Sequence, residues 1–272
     1  MHNIYYMIPI LIQNSRGQSN KGVEISKSFI EKLVTSKTKS IDIISASTFK
    51  NCVEGTRAVY EKCLLSLQRS KQNVFIGGDH YSSFGTVLAS LKLYGKNLRL
   101  VWIDAHTDIH SFETSPSKNM HGMVVRFLMT HDYPDIPRLH PNQLLYIGIR
   151  SVEKEEFEFI HRNHIKTVWM EEFDKDKKVA YEKINGFLKN HPVHISLDVD
   201  VLDPDYMVST GTPDYENEGM TPTDLFATIR VIQKGGHHFA TDIMEFHPNL
   251  GTAKEKILST ETFRKILLFF GL

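Results

Sequence analysis

In Leu98-Arg99-Leu100-Val101-Trp102-Ile103-Asp104-Ala105-His106-Thr107-Asp108, an almost unbroken apolar run passes directly into carboxylates and an imidazole at alternate positions. A short run of this kind, rich in β-branched and aromatic residues, is the pattern of a strand covered on both faces. Extended backbone sends alternate side chains to one side, so Asp104, His106 and Asp108 would leave the strand end together.

The same reading extends outward. Apolar runs recur at Ile4–Ile12, Ile41–Ile44, Val74–Ile76, Leu144–Ile149, Ile165–Trp169, Val193–Leu197 and Phe239–Met244. Helix-like patterns lie between them, near 22–35, 51–70, 83–94, 119–131, 153–163, 177–190, 221–234 and 254–270. Thr221-Pro222 is a helix start, with a capping hydroxyl and proline at the first position. Strands alternating with helices predict an α/β fold, one parallel sheet with helices on both faces. Such sheets bind ligands beyond the carboxyl ends of their strands.

Three further runs end in the same chemistry. Val74–Ile76 leads into Gly77-Gly78-Asp79-His80, Val193–Leu197 into Asp198-Val199-Asp200, and Phe239–Met244 into Glu245. Carboxylates packed this closely repel one another and raise each other's pKa unless a cation offsets them. A mixed carboxylate and imidazole set suits first-row divalent ions. His80, Asp104, His106, Asp108, Asp198 and Asp200 are too many ligands for one ion and enough for two with shared carboxylates, an arrangement that can activate water at neutral pH.

Composition excludes several classes. With 272 residues, 41% hydrophobic and 24% charged, the chain can bury a sizeable core, as one large α/β domain or two small ones. Thirty-two basic residues balance thirty-two acidic ones, which argues against a nucleic-acid or anionic-membrane partner. Met1–Ile12 reads as a first strand, not a signal peptide, and no apolar run reaches the roughly 20 residues of a membrane span. Cys52 and Cys63 fall on one helix, about 16 Å apart at 1.5 Å per residue, too far for a disulfide. Free thiols fit a cytoplasmic protein. Ser82-Ser83 reads as a helix start, His194 as a satisfied core histidine, and His237-His238 as a solvated turn.

Taken together, Gly77–His80, Asp104–Asp108, Asn119-Met120-His121-Gly122, Ser196–Pro204, Gly211-Thr212-Pro213 and Asp242–Glu245 resemble the arginase/agmatinase family of ureohydrolases, closest to its arginases. The resemblance implies a single three-layer α/β/α domain over 1–272, with a parallel sheet of about eight strands and two Mn²⁺ ions per chain. One ion would take His80, Asp104, Asp108 and Asp198, and the other His106, Asp104, Asp198 and Asp200. A hydroxide bridging the ions, hydrogen-bonded to Asp108, would attack a guanidino carbon. Glu245 would hold the guanidinium, and His121 would carry a proton to the leaving amine.

The resemblance further assigns His110, Ser115, Ser117, Asn119, Glu153, Glu156 and Thr212 to the substrate and implies L-arginine, cleaved to urea and L-ornithine. It also implies a trimer or hexamer. Two departures keep agmatinase, guanidino-acid hydrolase and formiminoglutamase open as alternatives: His110 stands where arginases usually carry Asn, and Asp214–Gly219 replaces the usual turn. A non-catalytic binding module would predict a lost ligand or a lost His121, and all of them are present. Phosphoester hydrolysis would call for a basic phosphate-cradling loop, and the sequence has none.

Overall fold

The computed structural model describes residues 8–18, 21–35, 38, 40–212 and 218–272. Its strands are β1 (Ile10–Ile12), β2 (Asp42–Ile44), β3 (Asn73–Ile76), β4 (Arg99–Ile103), β5 (Leu144–Ile149), β6 (Lys166–Trp169), β7 (Pro192–Asp198) and β8 (His237–Met244). They form one parallel sheet in the order β2-β1-β3-β8-β7-β4-β5-β6. The α-helices among the described residues are α1 (Lys27–Leu33), α2 (Cys52–Arg69), α3 (Ser82–Tyr94), α4 (Val124–Thr130), α5 (Lys154–Arg162), α6 (Met170–Lys175), α7 (Lys177–Leu188), α8 (Pro222–Gly235) and α9 (Ala253–Phe269).

Strand parity divides the core in two. Val101 and Ile103 of β4, with Val193, Ile195 and Leu197 of β7, face Ile184 of α7, Ile229 of α8 and Phe263 of α9. Leu100 and Trp102 of β4 face the other way, toward Val59 of α2, Leu88 of α3 and Val125 of α4. Each fully buried aliphatic side chain contributes roughly 1.5–3 kcal/mol, so the two layers together fix the sheet. Helix starts follow local chemistry. Thr221 accepts from the Asp224 backbone N–H, and Thr252 and Glu255 close a reciprocal capping box.

Three sequence expectations need correction, and one helix was not anticipated. The first strand begins at Ile10; Ile4–Met7 lie outside the described residues, and Pro9 contributes only its carbonyl, which accepts Asp42 N–H at 3.0 Å. Residues 119–131 do not form one helix, because a 3₁₀ turn at Met120–Met123 precedes α4. The short helix α6, hidden between β6 and α7, has no separate apolar stripe in the sequence. His237-His238 open β8 and do not form a turn, since His237 N–H bonds the His191 carbonyl at 2.8 Å and pairs the new strand with β7.

Candidate metal centre and active site

The central strands β3, β8, β7 and β4 are consecutive neighbours, so their carboxyl ends open into one space. Each delivers one of the four chemical segments. β3 ends in Gly77-Gly78, where a side chain cannot fit: a Cβ on Gly78 would stand 1.7 Å from the Asn14 carbonyl oxygen. That close approach lets Asp79 N–H bond Asn14 O at 3.0 Å and turns His80 into the site.

His80 is fixed on three sides. Its ring is 1% exposed and stacks on Trp102. Its Nε2 lies 3.0 Å from Ser196 Oγ. With the proton on Nε2, donating to that hydroxyl, Nδ1 keeps its lone pair. Nδ1 points at Asp104 Oδ2 (3.1 Å), Asp108 Oδ2 (3.2 Å) and Asp198 Oδ2 (3.2 Å), and makes no hydrogen bond there.

A second cluster adjoins the first. His106 Nδ1 lies 2.9 Å from Asp200 Oδ2 and 3.6 Å from Asp104 Oδ1. Asp104 therefore shows one oxygen to each imidazole. His80, Asp104 and Asp108 form one metal-sized group, and Asp104, His106 and Asp200 form another, with ligand atoms within 4.8 Å of one another in each. The structure thus brings all six expected ligands to one place. Supporting bonds orient them: Trp102 Nε1–H to Asp104 Oδ2 (2.8 Å), Asp200 N–H to Asp198 Oδ1 (2.8 Å) and the Thr212 hydroxyl to Asp200 Oδ2 (2.8 Å).

The protonation equilibria reflect crowded charge. Burial, and then the neighbouring charges of Asp200 and Asp104, push Asp198 well above the carboxylate range. Burial and the charge on Asp104 raise Asp108 to about 6. Burial opposes a charged His80, but the close carboxylates of Asp104, Asp108 and Asp198 overcome it and raise the imidazole well above its ordinary value. Four buried carboxylates and two imidazoles in this arrangement fit a pair of divalent cations, which would supply the positive charge that the protein lacks here.

Beside the cluster stands Glu245, fully buried at a positive φ of 66°. Its Oε1 accepts the His80 backbone N–H at 2.8 Å and lies 3.3 Å from His121 Nδ1. Burial disfavours a charged His121, yet the hydrogen bond and charge of Glu245 raise its pKa overall. On the rim, His110 Nε2 lies 3.5 Å from Glu153 Oε2 and 3.6 Å from Glu156 Oε1, while its Nδ1 meets Thr114 Oγ1 at 3.0 Å.

Other expected substrate contacts are engaged locally. Glu156 accepts from the Thr107 hydroxyl and from Glu153 N–H, capping α5. Ser115 is buried, with its hydroxyl accepting Lys118 N–H. Ser117 is exposed and accepts Asn119 N–H, and Asn119 is half-buried beside it. Of the Asp214–Gly219 stretch, 214–217 lie outside the described residues, as does Pro213. Sequence reasoning missed Trp102 and Ser196, which strand parity could have found, and Gln18, whose loop carries no periodic signal.

Comparison with known proteins agrees with this architecture. The model of the Arginase family matches residues 11–268. The chain is 30% identical to an arginase of Staphylococcus aureus over 271 residues, 94% of this chain and 87% of the relative. It is 34% identical to Arginase-1 of Mus musculus over 207 residues, 71% of this chain but 63% of the longer relative. Among solved structures, an arginase from Bacillus subtilis superposes with a TM-score of 0.83 at 26% identity, covering 98% of this chain and 99% of that one. An Entamoeba histolytica arginase in complex with L-ornithine gives the same TM-score and identity, covering 98% of each chain. With sequence matching almost end to end and fold matching over the same span, this chain belongs to the arginase family.

Proposed function

We propose that the chain acts as a single arginase-like hydrolase domain, cleaving the guanidino group of L-arginine to urea and L-ornithine. The observation that carries this reading is the pair of His/Asp clusters joined through Asp104, with Glu245 buried alongside. His80, Asp104, Asp108 and Asp198 would hold one ion and His106, Asp104, Asp198 and Asp200 the other, with Mn²⁺ favoured by the mixed oxygen and nitrogen donors. Two divalent ions held there would supply the charge that lowers the pKa of water and makes it a nucleophile at neutral pH.

The protein residues supply the remaining chemistry. Glu245, a carboxylate beside a planar cation, pairs with the guanidinium through parallel hydrogen bonds and turns its carbon toward the cluster. Asp108 accepts a hydrogen bond from the attacking water and aligns it. As the tetrahedral carbon collapses, the leaving amine needs a proton, and His121, 3.3 Å from Glu245, would deliver it.

The acidic Glu153 beside His110 suits the α-amino end of an amino-acid substrate. One observation favours a sibling substrate instead: His110 Nε2 stands 3.5 Å from Glu153 and 3.6 Å from Glu156 without a hydrogen bond to either, crowding the place where an α-amino group would sit. Manganese-loaded protein should release urea and ornithine from L-arginine faster than it releases product from agmatine, guanidinobutyrate or formiminoglutamate. Turnover of one of these with none of arginine would overturn the substrate and leave the reaction class standing.

Family analogy also supports a trimer or hexamer, which light scattering would test. Unpaired Cys52 and Cys63 are consistent with a cytoplasmic location. No helix among the described residues is long and apolar enough to cross a membrane.

A further inference from the structure

We propose that Gln18, on the loop after β1, is the positioning residue that sets Glu245 for the guanidinium. The inference rests on the arginase reading above. Gln18 is 6% exposed, and its Nε2 donates to Glu245 Oε2 at 2.7 Å. A carboxylate only accepts, so the amide nitrogen is the end that faces it. Oε1 is already held by His80 N–H at 2.8 Å. Gln18 therefore fixes the second oxygen, and the plane of the carboxylate with it.

The loop carrying Gln18 is anchored independently of that side chain. Gly17 N–H donates to Asp79 Oδ2, and Gly17 O accepts His121 N–H at 3.0 Å. One loop thus ties together the backbone of His121 and, through Asp79, the segment that carries His80. The space for the pair is also built in. A Cβ on Gly211 would stand 2.1 Å from Glu245 Oε2 and 2.9 Å from Gln18 Nε2, while Gly211 N–H bonds Glu245 O at 2.8 Å. A planar guanidinium needs a carboxylate held in one plane, and Gln18 supplies the donor that selects it.

The test compares manganese-loaded wild type with Gln18→Met, which fills nearly the same space without a donor, and with Gln18→Ala. Hydrogen bonds to charged groups are worth enough that KM for L-arginine should rise about ten- to a hundred-fold in both variants, with a smaller change in kcat. Metal content per chain should stay at the wild-type value. A methionine variant with wild-type KM, whatever its kcat, would show that Gln18 only fills space and would overturn the proposal. A crystal structure of Gln18→Met gives a second readout that needs no substrate. The Glu245 carboxylate should rotate away from its present plane, and an unmoved carboxylate refutes the idea. Should wild type release no urea from any guanidino compound, the activity reading falls, while the crystallographic comparison still decides the role of Gln18.

Discussion

The imidazole of His80 lies flat against the indole of Trp102, ring centroids 4.0 Å apart and planes 13° apart, while the same indole donates its N–H to Asp104. One aromatic side chain on β4 therefore orients a ligand from each cluster element it touches: the ring of one and the carboxylate of the other.

Replacing Trp102 with Phe keeps a flat surface under His80 and removes the N–H. Loss of a group that orients a metal ligand typically weakens metal affinity by about ten- to a hundred-fold. We expect a loss near the lower end for Mn²⁺, because His106 N–H still holds Asp104 Oδ1 at 2.6 Å. Calorimetric titration of metal-free protein measures it, and unchanged affinity would show that the indole only packs.

Asp104 faces both imidazoles, whereas His106 belongs to one cluster alone. Metal analysis after dialysis should therefore find both ions lost from Asp104→Ala and only one lost from His106→Ala. Equal stoichiometries in the two variants would contradict the shared carboxylate.

Gly78→Ala should destabilise the fold, because the new methyl would meet the carbonyl oxygen of Asn14 at 1.7 Å and backbone cannot step aside as a flexible side chain can. Overpacking of this kind costs about 1–3 kcal/mol or more. Urea denaturation reads that loss directly, and metal retention should fall with it, since the displaced segment leads into His80. A variant as stable as wild type would mean that the Asn14 loop is free to move.

At the start of β8, burial and then the charge of His194 lower the His238 pKa from 6.5 to about 4. As pH falls through 6.5, the unfolded chain takes up a proton that the folded chain refuses. Stability is therefore full above 6.5 and declines until about pH 4, by on the order of 2–3 kcal/mol. His238→Gln, which keeps a polar group for Thr241, should remove this part of the acid sensitivity. Parallel stability curves for the two proteins between those pH values would show that His238 titrates normally.

The fold was legible because buried parallel strands are short and nearly all apolar, so each run announces itself, and because each of the four chemical segments begins where such a run stops. Parity on β4 and β7 carried five of the six ligands, and the sixth, His80, follows the Gly77-Gly78 pair after β3. Legibility failed where local chemistry leaves no period. Gln18 reaches Glu245 across 227 positions of sequence, a contact made only by the folded topology. Glu156 has the charge expected of a substrate contact, yet its carboxylate closes the first turn of α5. His237-His238 follow a Gly-Gly pair, but pairing with β7 draws them into the sheet.

Strand β8 sits between β3 and β7 in space although it follows both in sequence. A nascent chain on the ribosome cannot insert it until residues 237–244 have emerged. Before then the strand bearing His80 and the strand bearing Asp198 have no shared neighbour, and Glu245 does not yet exist. Completion of the cluster around His80 therefore waits for the last strand. A nonsense mutation that removes only β8 and α9 would leave all six ligands present but take away the strand that joins His80 to the other five.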